Sequence, residues 1–185
     1  AEPTSRRKFA TIRGAAITEF CHREGLTPNS YFMTVVAAVL HRVVREQNIL
    51  FASITNGRVV TEMQQIVGMF VKTLPVVSCA RAESVKDAMA AMQKQYLDTQ
   101  EHAIYPYTNM VMRHNVRAEI IYVYQGGLGN SAIGGQGTGE GDTFNLNLDT
   151  VKLPISIIVG DQGEDYSIEA EYNGALYSGR DMATL

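Results

Sequence analysis

The chain has no tryptophan, only two cysteines and five prolines in 185 residues, and no apolar run near the roughly 18 residues a membrane-spanning helix needs. Its first residues lack the apolar core of a secretory signal, so a soluble, intracellular protein of the cytoplasm is expected. Cys21 and Cys79 show no Cys-x-x-Cys spacing, which favours a reduced protein while leaving one disulfide open. Charge of either sign is sparse: 19% of residues are charged and the net charge is -3. That balance gives no footprint for DNA or RNA, and Arg6-Arg7-Lys8 is too short a run to change it; it reads as a solvated end. No G-x-x-x-x-G-K-S/T pattern is present, and Gly127-Leu128-Gly129 lacks the strand-to-helix setting of a dinucleotide fingerprint. The histidines His22, His41, His102 and His114 stand apart from one another, so no metal site and no paired-histidine proton-transfer motif is expected. His41 reads as a satisfied histidine on a helix.

What is present suits one domain spanning residues 1–185, long enough to bury about two thirds of its unfolded surface. Ile12, Ala15, Ala16 and Phe20 recur at helical spacing from Thr11 to Arg23, with Gly25 as C-cap. Thr27-Pro28 starts a second helix, whose apolar stripe is Phe32, Val35, Val36, Val39, Leu40 and Val43. Ile49 to Thr55 reads as a strand halted by Asn56-Gly57, with Arg58 next and a short helical turn over Thr61 to Val67. Ser84 and Asp87 resemble a capping box, opening a helix to about Gln100 whose face includes Val85, Ala88, Met89, Met92, Tyr96 and Leu97.

The segment from Ile66 to Val77 organises the rest. Gly68 precedes an apolar run rich in Phe and Val, which reads as a tight entry into a largely buried strand. At a period of two, Thr73 shares a face with Val71 and Pro75, while Phe70, Lys72 and Leu74 point the other way. Both faces mix polar and apolar groups. A plain sheet strand with one exposed lysine and a strand lining a channel both fit.

Beyond it, Ala118 to Tyr124 is strand-like by composition, and the Gly-rich stretch of about 126–141 reads as a surface loop or lid rather than a phosphate cradle. Strands are expected over Thr143 to Leu148, Leu153 to Val159 and Tyr166 to Tyr172, the last two as a hairpin. Glu169 and Glu171 alternate with apolar residues and read as a charged outer face rather than an acid and base pair. Ser178 and Asp181 open a short final helix.

Val67-Gly68-Met69-Phe70-Val71-Lys72-Thr73-Leu74 resembles the G-x-F-V-N-T-L signature in the C-terminal half of nonribosomal peptide synthetase condensation domains. Its neighbours occur in the family's order: a helix beginning at Thr27, a strand, the pair Gly57-Arg58, then this block. His102 with Tyr105-Pro106-Tyr107 is similar to the family's H-Q-D-Y-P-F-E motif. Arg113 and Arg117 have the spacing of the arginines in R-D-x-S-R-N-P-L, although the residues between them do not match. Thr150 to Ile155 and Glu171 to Tyr177 resemble the K-F-D-L and E-Y-N-x-x-L-F segments, with Pro154 where Asp is usual.

The resemblance implies an α/β fold, a mixed β-sheet with helices packed mainly on one side, as half of a domain built from two chloramphenicol acetyltransferase-like lobes. Such domains join an acyl or peptidyl thioester to the amine of an aminoacyl acceptor, both borne on phosphopantetheine arms of carrier proteins. Their H-H-x-x-x-D-G motif lies in the N-terminal lobe and does not occur here, so a C-terminal lobe, inactive alone and without a catalytic residue of its own, is expected. Its implied partners are the N-terminal lobe and carrier domains, with no cofactor bound directly. Its implied contributions are a tunnel wall from Gly68, Phe70, Val71 and Thr73, a loop crossing to the other lobe, and Arg58 as an orienting residue paired with the motif's Asp. A solvated Arg58 is the other reading. A CoA-dependent acyltransferase of the same superfold and a non-catalytic interaction module remain alternatives, and donor, acceptor and subtype are not legible.

Overall fold

The computed structural model describes residues 4–58, 61–81, 84–126 and 153–183. The expected strand over 143–148 and nearly all of the Gly-rich stretch lie outside the described residues.

Helix α2, Pro28–Val44, begins as its sequence dictates. The Thr27 hydroxyl accepts from the Ser30 N–H at 3.1 Å, and Pro28 occupies the first turn, where a missing N–H is harmless. Its buried face is Phe32, Met33, Val36, Ala37 and Leu40; Val35 and Val43 are exposed, so the apolar stripe is turned from the expected one. The helical period admits either stripe; Phe32, Val36 and Leu40 belong to both, and the observed one takes in Met33 and Ala37 in place of Val35 and Val43. Helix α1, Ala15–Glu24, ends at Gly25 in the left-handed region (φ 66°), as its sequence indicates.

The expected helical start at Thr11 is incorrect. Residues Thr4–Arg13 form strand β1, and Arg6-Arg7-Lys8, solvent-exposed as expected, lies within that strand rather than in an irregular end. Arg6 is matched across the sheet by charge. Arg6 Nε donates to Glu171 Oε1 at 2.9 Å and lies 3.6 Å from Glu169, while Arg7 donates to the Gly179 carbonyl at 2.8 Å. Partners some 160 residues away leave no local signal.

The remaining elements are β2 (Asn48–Thr55), a 3-10 turn (Thr61–Gln65), β3 (Lys72–Cys79), α3 (Val85–Glu101), α4 (Tyr107–His114), β4 (Ile120–Gln125), β5 (Ile155–Asp161), β6 (Asp165–Asn173) and α5 (Gly179–Met182). One mixed sheet has the order β1-β6-β5-β4-β2-β3, with β2, β4 and β5 parallel and the other pairs antiparallel.

The register defines two faces. One row across all six strands reads Leu74, Ser53, Tyr122, Ile157, Ala170, Arg7. Its first five members are buried beneath the helices, in a core that includes Cys21, Phe32, Leu40, Met92 and Met182. The adjacent row, Pro75, Ala52, Ile121, Ser156, Glu171, Arg6, faces the other way and becomes charged toward β1. Helices therefore cover mainly one side, as expected. Val85 is 70% and Leu97 53% exposed, so neither belongs to the buried face of α3. Both cysteines are free, Cys21 buried and Cys79 exposed. No helix among the described residues is long and apolar enough to cross a membrane.

Candidate functional site

The organising segment is not one long strand. Strand β3 starts only at Lys72 and forms the edge of the sheet, paired with β2 alone. Its position suits Pro75, which has no N–H to give a ladder on both sides. From Ile66 to Val71 the chain runs ahead of the strand with its apolar side chains outward: Val67 is 100% exposed, Met69 87% and Val71 53%. Thr73 and Pro75 share one face of β3, as the period of two indicates, while Leu74 and Val76 enter the core.

Two glycines shape the approach to β3. A Cβ on Gly57 (φ 66°) would fall 1.9 Å from the Phe70 carbonyl oxygen, a clash with backbone that no rotamer relieves. A Cβ on Gly68 would lie 3.3 Å from the Phe70 ring, a tight but softer contact. The hard close approach thus belongs to Gly57, which the sequence marked only as the second residue of an Asn-Gly turn.

Arg58 follows that turn, half-buried, with its guanidinium engaged by backbone carbonyls. Its Nη1 donates to the carbonyls of Met63 and, at 2.8 Å, Ile66, and its Nη2 to that of Gly68 at 3.3 Å. The guanidinium carbon stands 4.6 Å from the centre of the Phe70 ring. The reading as a free charge is therefore incorrect.

The other matched motif converges on the same corner. Thr73, Leu74 and Pro75 line an apolar pocket of about 130 Å³ with His102, Tyr105 and Tyr107. His102 Nδ1 bonds the Asp98 carbonyl at 2.8 Å and ends α3, and Pro106 starts α4, so this motif is a helix-to-helix connection, as expected. Tyr107 accepts from the Ala118 N–H at 3.0 Å, holding α4 against the entry to β4. Arg113 and Arg117 are exposed.

His41 is satisfied on both nitrogens, by the Glu46 carbonyl at 2.8 Å and the Ser78 hydroxyl at 3.0 Å. Glu169 and Glu171 are engaged by Arg6, which makes them a paired, charged outer face. Desolvation raises the Tyr122 phenol well above its ordinary range, and burial with the neighbouring Tyr166 and Asp161 raises Tyr124; both stay protonated at neutral pH. Among the described residues, no three of His, Cys, Asp and Glu gather as metal ligands. The corner around Thr73 thus supplies shape, apolar surface and the hydroxyls of Thr73, Tyr105 and Tyr107, and its imidazole, His102, is already bonded to the Asp98 carbonyl through Nδ1.

The family model described as Condensation domain matches residues 2–185. A plipastatin synthase from Bacillus subtilis (strain 168) is 24% identical over 180 residues, covering 91% of this chain and 7% of that protein. Among solved structures, a four-domain nonribosomal peptide synthetase bound to AMP and glycine superposes with a TM-score of 0.81 at 16% identity, over 97% of this chain and 16% of that one. The first condensation domain of the CDA synthetase gives 0.75 at 16% identity, over 98% of this chain and 42% of that one. The chain spans under half the length of each of these proteins. Since the profile runs through nearly every residue and the fold is shared with a solved condensation domain, this chain belongs to the condensation domain family.

Proposed function

We propose that this chain is the C-terminal lobe of a nonribosomal peptide synthetase condensation domain and forms one wall of the passage in which an amide bond is made. In that reaction the acceptor's amine nitrogen attacks the thioester carbonyl of the donor. A C–N bond forms, the C–S bond breaks, and the thiol departs on the donor's phosphopantetheine arm. The amine proton passes to a base on the N-terminal lobe, because this sequence carries no H-H-x-x-x-D-G motif and its described histidines are singly placed or already bonded.

The observation that carries the reading is the convergence of two separate motif segments on one corner at the edge of the sheet: Thr73 and Leu74, the end of one, with His102, Tyr105 and Tyr107 of the other. There Thr73 offers a hydroxyl able to meet an amide of the pantetheine part of an arm, and Phe70 and Val71 precede it in the chain as the wall's apolar approach. Arg58 Nε has no acceptor among the described residues, so that edge of the guanidinium suits a carboxylate of the N-terminal lobe, and Arg58 would orient that lobe's motif. The carrier domains bring both arms, and the setting for such carrier-fed chemistry is the cytoplasm.

The test is amide formation between a donor thioester and an aminoacyl acceptor, both on carrier proteins, followed by the mass of the acceptor carrier. The parent domain is expected to turn over, the isolated chain is not, and Gly68→Trp in the parent abolishes product. Amide formation by the isolated chain at an enzymatic rate overturns the reading, and binding of a protein without any carrier would favour an interaction module instead.

A further inference from the structure

The loop between Gly57 and Thr73 is built inside out. Val67 and Met69 are almost wholly exposed, whereas the half-buried charged head of Arg58 is turned in toward the backbone carbonyls of the loop. Three backbone carbonyls, those of Met63, Ile66 and Gly68, converge on that head. Carbonyl oxygens repel one another at close quarters, and only a donor between them lets the chain turn so tightly. A guanidinium can meet several at once because its N–H groups lie in one plane at fixed angles; an ammonium is a single point that cannot span three. Phe70 stacks over one face of the plane, its ring centre 4.6 Å from the guanidinium carbon, and so fixes the orientation in which the N–H groups meet the carbonyls. At the neck, the absence of a side chain at Gly57 admits the Phe70 carbonyl, so ring and guanidinium are brought together by the backbone itself.

We propose that Arg58 and Phe70 are a positioning pair, in which the stacked guanidinium ties three carbonyls into one fixed loop and thereby holds the apolar segment from Val67 to Val71 in place along the passage. The proposal rests on the reading of that segment as a passage wall. It differs from a role for Arg58 through charge alone, because a loop organiser acts on its own chain whether or not the other lobe is present.

The experiment compares Arg58→Lys, Arg58→Met and Phe70→Leu. In the isolated chain, hydrogen exchange of peptides covering residues 61–71 is expected to quicken about tenfold or more in the two Arg58 variants, as the loss of roughly one charge-assisted bond implies, and measurably but less in Phe70→Leu, which loses the stacked ring alone, with protection of α2 unchanged. In the parent domain, all three are expected to lower kcat for carrier-borne substrates while KM for the carriers stays put, since the carriers dock outside the passage. Arg58→Lys restoring wild-type exchange and kcat, together with a silent Phe70→Leu, overturns the proposal and leaves charge alone as the role of Arg58. A wild-type parent that makes no amide sinks the passage reading instead, and the exchange result then decides the loop's construction by itself.

Discussion

Gly57 shows how much one missing side chain can decide. Its φ of 66° and the 1.9 Å that would separate a Cβ from the Phe70 oxygen combine two penalties at one residue. Gly57→Ala is expected to lower stability by about 1–3 kcal/mol in urea unfolding, with the excess loosening confined to 61–71. A second residue-scale prediction concerns Glu24, whose carboxyl is held below its ordinary value by the Lys86 ammonium at 2.6 Å and then by Arg23. A folded pKa below the unfolded one means the contribution is present above the ordinary 4.5 and is lost as pH falls through the folded value. Lys86 is raised by the same contact, so its share is present below its ordinary 10.5 and lost as pH climbs through the folded value. Thermal midpoints of Glu24→Gln against pH should therefore run below wild type at neutral pH and meet it in acid. Of these features the Asn56-Gly57 turn was legible, because turn chemistry is local. The ring that Arg58 stacks on and the ammonium that Glu24 meets were not, because each lies on another segment.

At the scale of elements, caps were readable and pairings were not. Thr27, Gly25, Ser84 and Ser178 all cap as their spacing indicates, since a cap is decided within four residues. Strand β1 escaped detection because its charged residues are balanced by β6, at the far end of the chain. Removal of residues 1–9 is expected to bare the outer edge of β6 and convert the chain to concentration-dependent oligomers on size exclusion. Gln93 is a further element-scale device that no pattern marked. From α3 its side-chain oxygen accepts from the Thr27 N–H at 2.7 Å and the Ser30 hydroxyl at 2.9 Å, and its amide donates to the Gly25 carbonyl at 2.9 Å. It closes the joint between α1 and α2 from outside. Gln93→Ala is expected to destabilise by about 1 kcal/mol, measured by chemical denaturation, because the Gly25 carbonyl loses its donor while the Thr27 N–H and the Ser30 hydroxyl keep each other as partners.

At the scale of the molecule, the sheet's two faces were foreseeable and the outward turn of its apolar corner was not. Hydrophobic runs show where apolar side chains lie in the chain, but only the fold shows that Val67, Met69, Ile104 and Met112, at 100, 87, 86 and 76% exposed, are left unburied. Val71 stands two residues from Thr73, and Ile104 beside Tyr105, and Thr73 and Tyr105 line one pocket. Val71 and Ile104 thus flank one pocket from two segments, with Val67 and Met69 further out on the same approach. Single exposed hydrophobic side chains are ordinary on a soluble surface, whereas a gathered set is adhesive. The isolated chain is accordingly expected to self-associate in sedimentation velocity as its concentration rises, and the double variant Val67→Glu with Met69→Glu to remain monomeric with an unchanged thermal midpoint. Charge at those two positions costs the fold nothing, because neither side chain touches the core; in the parent domain the same pair should weaken turnover, because there the corner would have to accept a neighbour. A double variant that self-associates like the wild type would assign the adhesive surface elsewhere, with the exposed strand edge of β3 next in line.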